Sequence, residues 1–145
     1  LYQTGMQVPD DVTMVWPDDN HGYIRQLPTT VENERSGGSG VYYHLSYWGP
    51  PTSYLWLCST PPAMTWSEMS KAWDHGARKM WIVNIGDIKP GEIGMEFFLR
   101  LAWNPEAYRN FNQHDYFTKW ATQNFGAPRA DAIAKQVQTD CTQLR

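Results

Sequence analysis

The sequence predicts an α/β chain in which parallel strands alternate with helices before giving way to helices alone. Three observations carry this. Val12-Thr13-Met14-Val15-Trp16, roughly Gly40 to Trp48, and Lys79 to Asp87 are short runs with the β-branched and aromatic character of buried strands. Between and after them, apolar residues recur at the i, i+3, i+7 spacing of one helix face. Each strand run also ends in polar groups: Asp18, Asp19 and Asn20 after the first, His44 and Tyr47 late in the second, Asn84 and Asp87 late in the third. In a (β/α) barrel the face at the strand C-terminal ends holds the active site. An open doubly wound sheet obeys the same rule, but usually carries a glycine-rich phosphate turn between strand and helix. Here Ser36-Gly37-Gly38-Ser39-Gly40 precedes its strand, so it shapes the approach to that strand and is no dinucleotide loop.

The first strand leads into Pro17-Asp18-Asp19-Asn20-His21-Gly22, a dense polar turn. Pro28 to Arg35 reads as a helical turn or a loop, and the second strand follows. Thr65-Trp66-Ser67-Glu68 has the form of a capping box, which predicts a helix from about Trp66 to His75. Its apolar face is Trp66, Met69 and Trp73, with Ala72 and Ala77 alongside and Gly76 as the stop. The third strand is nearly all apolar until Asn84, the pattern of a parallel strand covered on both sides. Pro90-Gly91-Glu92 opens a helix with Ile93, Phe97, Leu101, Phe98 and Ala102 on one stripe, ending near Asn104-Pro105. Beyond Asp115 the pattern is helical: Tyr116, Phe117, Trp120 and Ala121 before Gly126, then Ala130, Ile133, Val137, Cys141 and Leu144 after Pro128. A boundary between about Asn104 and Asp115 divides the chain into residues 1–108 and 109–145.

The chain has 145 residues and a net charge of −3. Its scattered lysines and arginines make no basic face of the kind that neutralises phosphates, so nucleic acid is not an expected partner. No apolar run approaches the roughly 18 to 20 residues of a membrane span. Three strands cannot bury themselves, and the chain opens at Leu1 within a patterned region, so it reads as a piece of a longer protein with further strands upstream. On its own it is expected to be inactive and poorly folded. Cys58 and Cys141 have no neighbouring ligands at metal spacing and are expected to be buried free thiols, the alternative being a disulfide between them. Neither a metal nor a cofactor is expected. Eight tryptophans suit a large core and also suit sugar binding, because pyranose C–H faces stack on indole.

Asp18 and Asp19 are adjacent, so on a turn one can point into a site while the other caps backbone amides; the alternative is that both are turn residues. Paired carboxylates are the usual agents of glycosidic cleavage, with an acid on the leaving oxygen and a base on water, and Asp87 is the candidate partner within the chain, with Asp87-Ile88-Lys89-Pro90 reading equally as a helix entry. His44 suits hydrogen bonding or proton transfer near neutral pH, against the plainer reading of a core histidine satisfied by backbone. Tyr47, three residues on, faces away from His44 unless the strand has ended or bulged. Asn84 must find hydrogen-bond partners if buried. Asn20, Tyr23 and Arg25, with His21, form a further polar group on the first loop, where an arginine can hold a carboxylate bidentately.

Several strings together carry a family likeness: Val8-Pro9-Asp10-Asp11-Val12-Thr13, Trp16 to Arg25, Ser36 to Gly49, Thr60-Pro61-Pro62-Ala63, and Gly76 to Pro90. They resemble glycoside hydrolase family 115, the xylan α-1,2-glucuronidases, in order and without large gaps to about Asn104. The resemblance implies the C-terminal part of a (β/α)8 TIM-type barrel followed by the start of a helical bundle. It implies an inverting enzyme that releases glucuronic acid or its 4-O-methyl form from xylan side chains. Carried over residue by residue, it places Asp18 and Asp19 on the aspartate turn, matches His44 and Tyr47 to the family's active-site histidine and tyrosine, and matches Asn84 to its asparagine. The catalytic set is then Asp18, Asp19 and His44, and the substrate-binding set Asn20, Tyr23, Arg25, Tyr47, Asn84 and Asp87. Expected partners are glucuronoxylan or glucurono-xylooligosaccharides, the remainder of the longer chain, and a second copy in a homodimer, in a secreted or periplasmic setting. The alternative is a noncatalytic carbohydrate-binding protein that keeps the barrel scaffold.

Overall fold

The structure, a computed structural model, describes residues 2–49 and 60–143. Strands β1 (Met14–Pro17), β2 (Ser39–His44) and β3 (Trp81–Asn84) form one parallel sheet in the order β1-β2-β3. A short helix α1 (Thr30–Asn33) lies between the first two strands, and α2 (Pro62–Asp74) between the second and third. Helix α3 (Ile88–Trp103), a 3-10 turn at Pro105–Tyr108, α4 (Gln113–Phe125) and α5 (Ala127–Gln143) complete the chain. The alternation of strand and helix, the parallel pairing and the helical tail are as the sequence pattern predicts.

Strand alternation sends β2 side chains to opposite faces. Val41 and Tyr43, with Leu45 just beyond, enter the main core with Met69 and Ala72 of α2 and Phe97, Phe98 and Leu101 of α3. The Tyr43 ring stacks on Phe98 with centroids 6.0 Å apart. Tyr116, Phe117 and Ala134 belong to the same core, and Tyr108 and Phe111 pack against it, so apolar contact runs across residues 104–115 without a break. The register pairs Pro17 with Tyr42 and Tyr42 with Ile82, which puts these three on the opposite face with Val15. That face is open: Val15 is 37% exposed and Ile82 42%. Among the described residues β3 is therefore covered on one side, where its apolar run predicts cover on both.

Two local expectations are corrected. The second strand ends at His44 and not at Trp48, because the Leu45 and Ser46 amides both donate to the Asn84 carbonyl, at 2.9 and 3.3 Å, and the chain bends there. The helix predicted from Trp66 begins at Pro62, with Pro61 as its N-cap. Proline's fixed φ and missing N–H suit a first helical turn. Thr65 is buried within that helix, and Glu68 reaches away from it to the Ile24 amide. The capping box that forms belongs to α1, where Thr29 Oγ1 accepts from the Glu32 amide and Glu32 Oε2 accepts from the Thr29 amide. Cys58, the Cys141 side chain and Leu144 lie outside the described residues.

Candidate active site

The residues that follow the three strands meet at one edge of the sheet. Asp18 continues the β1 ladder by donating its amide to the Tyr42 carbonyl at 3.2 Å, and its side chain is fully buried. Its Oδ1 lies 2.5 Å from His44 Nδ1, and its Oδ2 accepts from the Gly22 amide at 2.9 Å. A carboxylate accepts hydrogen bonds, so Nδ1 carries the proton it donates to Asp18. Nε2 is then the basic nitrogen. One residue of the expected acidic pair thus orients an imidazole with one oxygen, while the other holds the Gly22 amide.

Around His44 stand aromatic groups. Tyr42, two residues earlier on the same strand face, has its ring centroid 4.6 Å from the imidazole, and Tyr47 meets it edge-on at 5.5 Å. The bend at Leu45 and Ser46 is what brings Tyr47 back beside His44 where continued strand would point it away. Tyr47 is 40% exposed and the following Trp48 is 60% exposed, an aromatic surface open to a ligand. Asn84 is the ladder partner of His44, and its Oδ1 accepts from the Gly86 amide at 3.2 Å. Sequence reasoning points to neither Tyr42 nor Trp48 as a site residue. Tyr42 is identifiable by its i, i+2 relation to His44, whereas Trp48 depends on where the strand ends.

Asp19, Tyr23 and Arg25 form a separate group. The Asp19 amide donates to the Tyr23 carbonyl at 2.9 Å, and Asp19 Oδ1 accepts from the His21 and Tyr23 amides at 3.0 and 3.1 Å. Arg25 Nε donates to Asp19 Oδ2 at 2.8 Å, and its guanidinium lies 4.8 Å over the Tyr23 ring. Burial pushes the Asp19 carboxyl up, but the Tyr23 amide, the Arg25 guanidinium and the His21 amide together outweigh it and hold Asp19 below the usual carboxylate range. A group whose folded pKa is depressed adds stability above its unfolded value of about 3.9 and loses that contribution as the pH falls through the folded value. The turn is therefore expected to loosen below about pH 4, read as faster amide exchange at Tyr23. Arg25→Ala is expected to bring the loosening to higher pH, and only slightly, because its side chain is 69% exposed.

The turn's shape depends on two residues with positive φ. Asn20 has φ 69°, a conformation asparagine tolerates better than most side chains. Gly22 has φ 87°, and a Cβ there would meet Tyr43 Oη at 3.0 Å and Met64 Cε and Thr60 Cγ2 at 3.1 Å. Gly22→Ala is expected to cost about 1–3 kcal/mol in a denaturant titration, and to weaken the hydrogen bond from the Gly22 amide to Asp18. Asp87 is exposed at the N-cap of α3, with no side-chain cap bond. Among the described residues no group of three or more His, Cys, Asp or Glu side chains is placed to hold a metal ion. No helix there is long and apolar enough to cross a membrane.

A solved structure described as a family GH115 4-O-methyl-α-glucuronidase, BtGH115A, with specificity for decorated arabinogalactans, matches with a TM-score of 0.87 and 45% identity. The match covers 92% of this chain and 18% of that one, so the chain spans under a fifth of the length of the solved relative. No curated protein matches it. The model of glycosyl hydrolase family 115 matches residues 1–144, and the chain belongs to that family.

Proposed function

We propose that this chain is the part of a family 115 α-glucuronidase that contributes the Asp18–His44 pair, and that the whole enzyme releases glucuronic acid or its 4-O-methyl form from a polysaccharide side chain. The observation that carries the reading is the buried carboxylate–imidazole pair at the C-terminal edge of parallel strands, beside Tyr47 and Asn84. In it, Asp18 fixes the imidazole and His44 Nε2 hydrogen bonds to the glucuronyl group or moves a proton there. Asn84 and the Tyr47 hydroxyl orient the sugar, and the exposed Trp48 offers a face for a pyranose ring. Asp19, held by Arg25, shapes the turn. Inversion at the anomeric carbon follows from the family likeness, and NMR of the first-released sugar anomer tests it.

The sheet is proposed to be a sector of a (β/α)8 barrel. Its helices lie on one face, its other face exposes Val15 and Ile82, and the outer edges of β1 and β3 are unpaired among the described residues. An exposed apolar face with open parallel edges is the form a barrel takes before closure. Residues 109–145 then begin a helical domain packed on that barrel.

Two polysaccharides compete as substrate. The family likeness points to glucuronoxylan, and the arabinogalactan specificity of the similar solved structure points to glucuronidated arabinogalactan. Incubating the full-length enzyme with each and measuring released uronic acid decides between them. Tight binding of glucuronic acid by calorimetry with no release from either polymer would replace the reading with that of a noncatalytic carbohydrate-binding protein.

A further inference from the structure

The turn that carries Asp18 is held by two buried polar groups that the glycosidase reading leaves without a part. Glu68, on the buried side of α2, sends Oε2 to the Ile24 amide at 2.8 Å and pairs with Lys71 Nζ at 2.6 Å. Lys71 Nζ in turn donates to the Ile24 carbonyl at 3.3 Å. One ion pair therefore takes both peptide groups of Ile24, whose side chain sits in the main core. Two residues earlier, the Gly22 carbonyl accepts from Tyr43 Oη at 2.9 Å, while the Gly22 amide donates to Asp18 Oδ2.

We propose that Glu68 and Tyr43 are positioning residues for catalysis, holding the 18–24 turn so that Asp18 keeps His44 in its working orientation. The inference rests on the reading of His44 given above. A carboxylate placed in a core costs desolvation that an apolar side chain of similar size avoids, so its value here lies in direction: hydrogen bonds fix the path of the turn where apolar contact would let it slide. The sequence of contacts is continuous, from Glu68 to Ile24, through Gly22 to Asp18, and on to His44. Tyr43 adds a second anchor from β2 itself, the strand that also carries His44, so the turn and the imidazole are referenced to the same backbone. Placement errors near 1 Å in such a site cost rates of about 100-fold.

The test uses the full-length enzyme on whichever polymer it cleaves, with kcat and KM measured separately. Glu68→Ala is expected to lower kcat about 10- to 100-fold with KM little changed, and Glu68→Gln, which still offers an oxygen to the Ile24 amide, to recover most of the loss. Tyr43→Phe keeps the ring on Phe98 and removes the bond to Gly22, and is expected to lower kcat in the same way; it serves if Glu68→Ala does not fold. Met69→Ala, which opens a cavity on the same helix and removes none of the hydrogen bonds to the turn, is expected to keep kcat per folded molecule. Unchanged kcat in both Glu68→Ala and Tyr43→Phe, or an equal fall in Met69→Ala, overturns the proposal. Retained turnover in His44→Ala overturns the role given to His44, on which the inference rests, whereas its loss there with none in the two anchor variants overturns the positioning role alone.

Discussion

Replacing His44 with alanine in the full-length enzyme is expected to lower kcat by about 100- to 10,000-fold, the range a positioned acid–base group supplies. Asp18→Asn is expected to lower it by a similar order, for a different reason. The amide preserves volume, but it can present an N–H to the imidazole as readily as an oxygen, so the proton is no longer held at Nδ1 and Nε2 is no longer reliably the base. Circular dichroism should show both variants folded, with Asp18→Asn the less perturbed, since His44→Ala leaves a fully buried carboxylate without its partner. A uronic-acid release assay on either polymer gives the rates. Turnover by His44→Ala at the unmodified rate would remove the imidazole from the chemistry.

The largest effect on stability is expected at Phe97. Its ring is fully buried and meets Phe111 at 4.7 Å, Tyr116 at 5.0 Å and Tyr108 at 5.7 Å between centroids. These partners come from the 104–115 stretch and from α4, so Phe97 joins α3 to the helical tail. Phe97→Ala is expected to destabilise by about 3–5 kcal/mol, the cost of the lost burial plus the cavity left among aromatic rings that cannot collapse onto it. Leu99→Ala on the exposed side of the same helix is expected to fall within about 0.5 kcal/mol of the unmodified protein. Thermal unfolding of the pair separates core packing from helix propensity.

The site is readable in part because its residues stand at strand ends. Asp18, His44 and Asn84 each close an apolar run, and parallel pairing of three such runs brings their C-terminal ends together whatever the loops do. The relation of His44 to Tyr47 is not readable, since strand alternation separates residues three apart. It takes the Leu45 and Ser46 amides converging on one carbonyl, a long-range contact to β3, to turn the chain and set the two rings edge-on. Thr65-Trp66-Ser67-Glu68 misleads for a related reason. The motif is local, but Glu68 is drawn to the Ile24 amide 44 residues away, and Pro62 has already opened the helix.

Local patterning alone thus determined the strand and helix order, the apolar stripes of α3 and α4, and the polar character of each strand end, because all of these follow from side-chain periods along the backbone. Only the tertiary structure decided that Asp18 grips His44 while Asp19 is committed to Arg25. The two are adjacent and chemically identical, and what separates them is the surroundings that each oxygen meets: a buried imidazole and the Gly22 amide for one, a half-open loop and a guanidinium for the other. Partners distant in the chain made that choice, and sequence spacing carries no record of them.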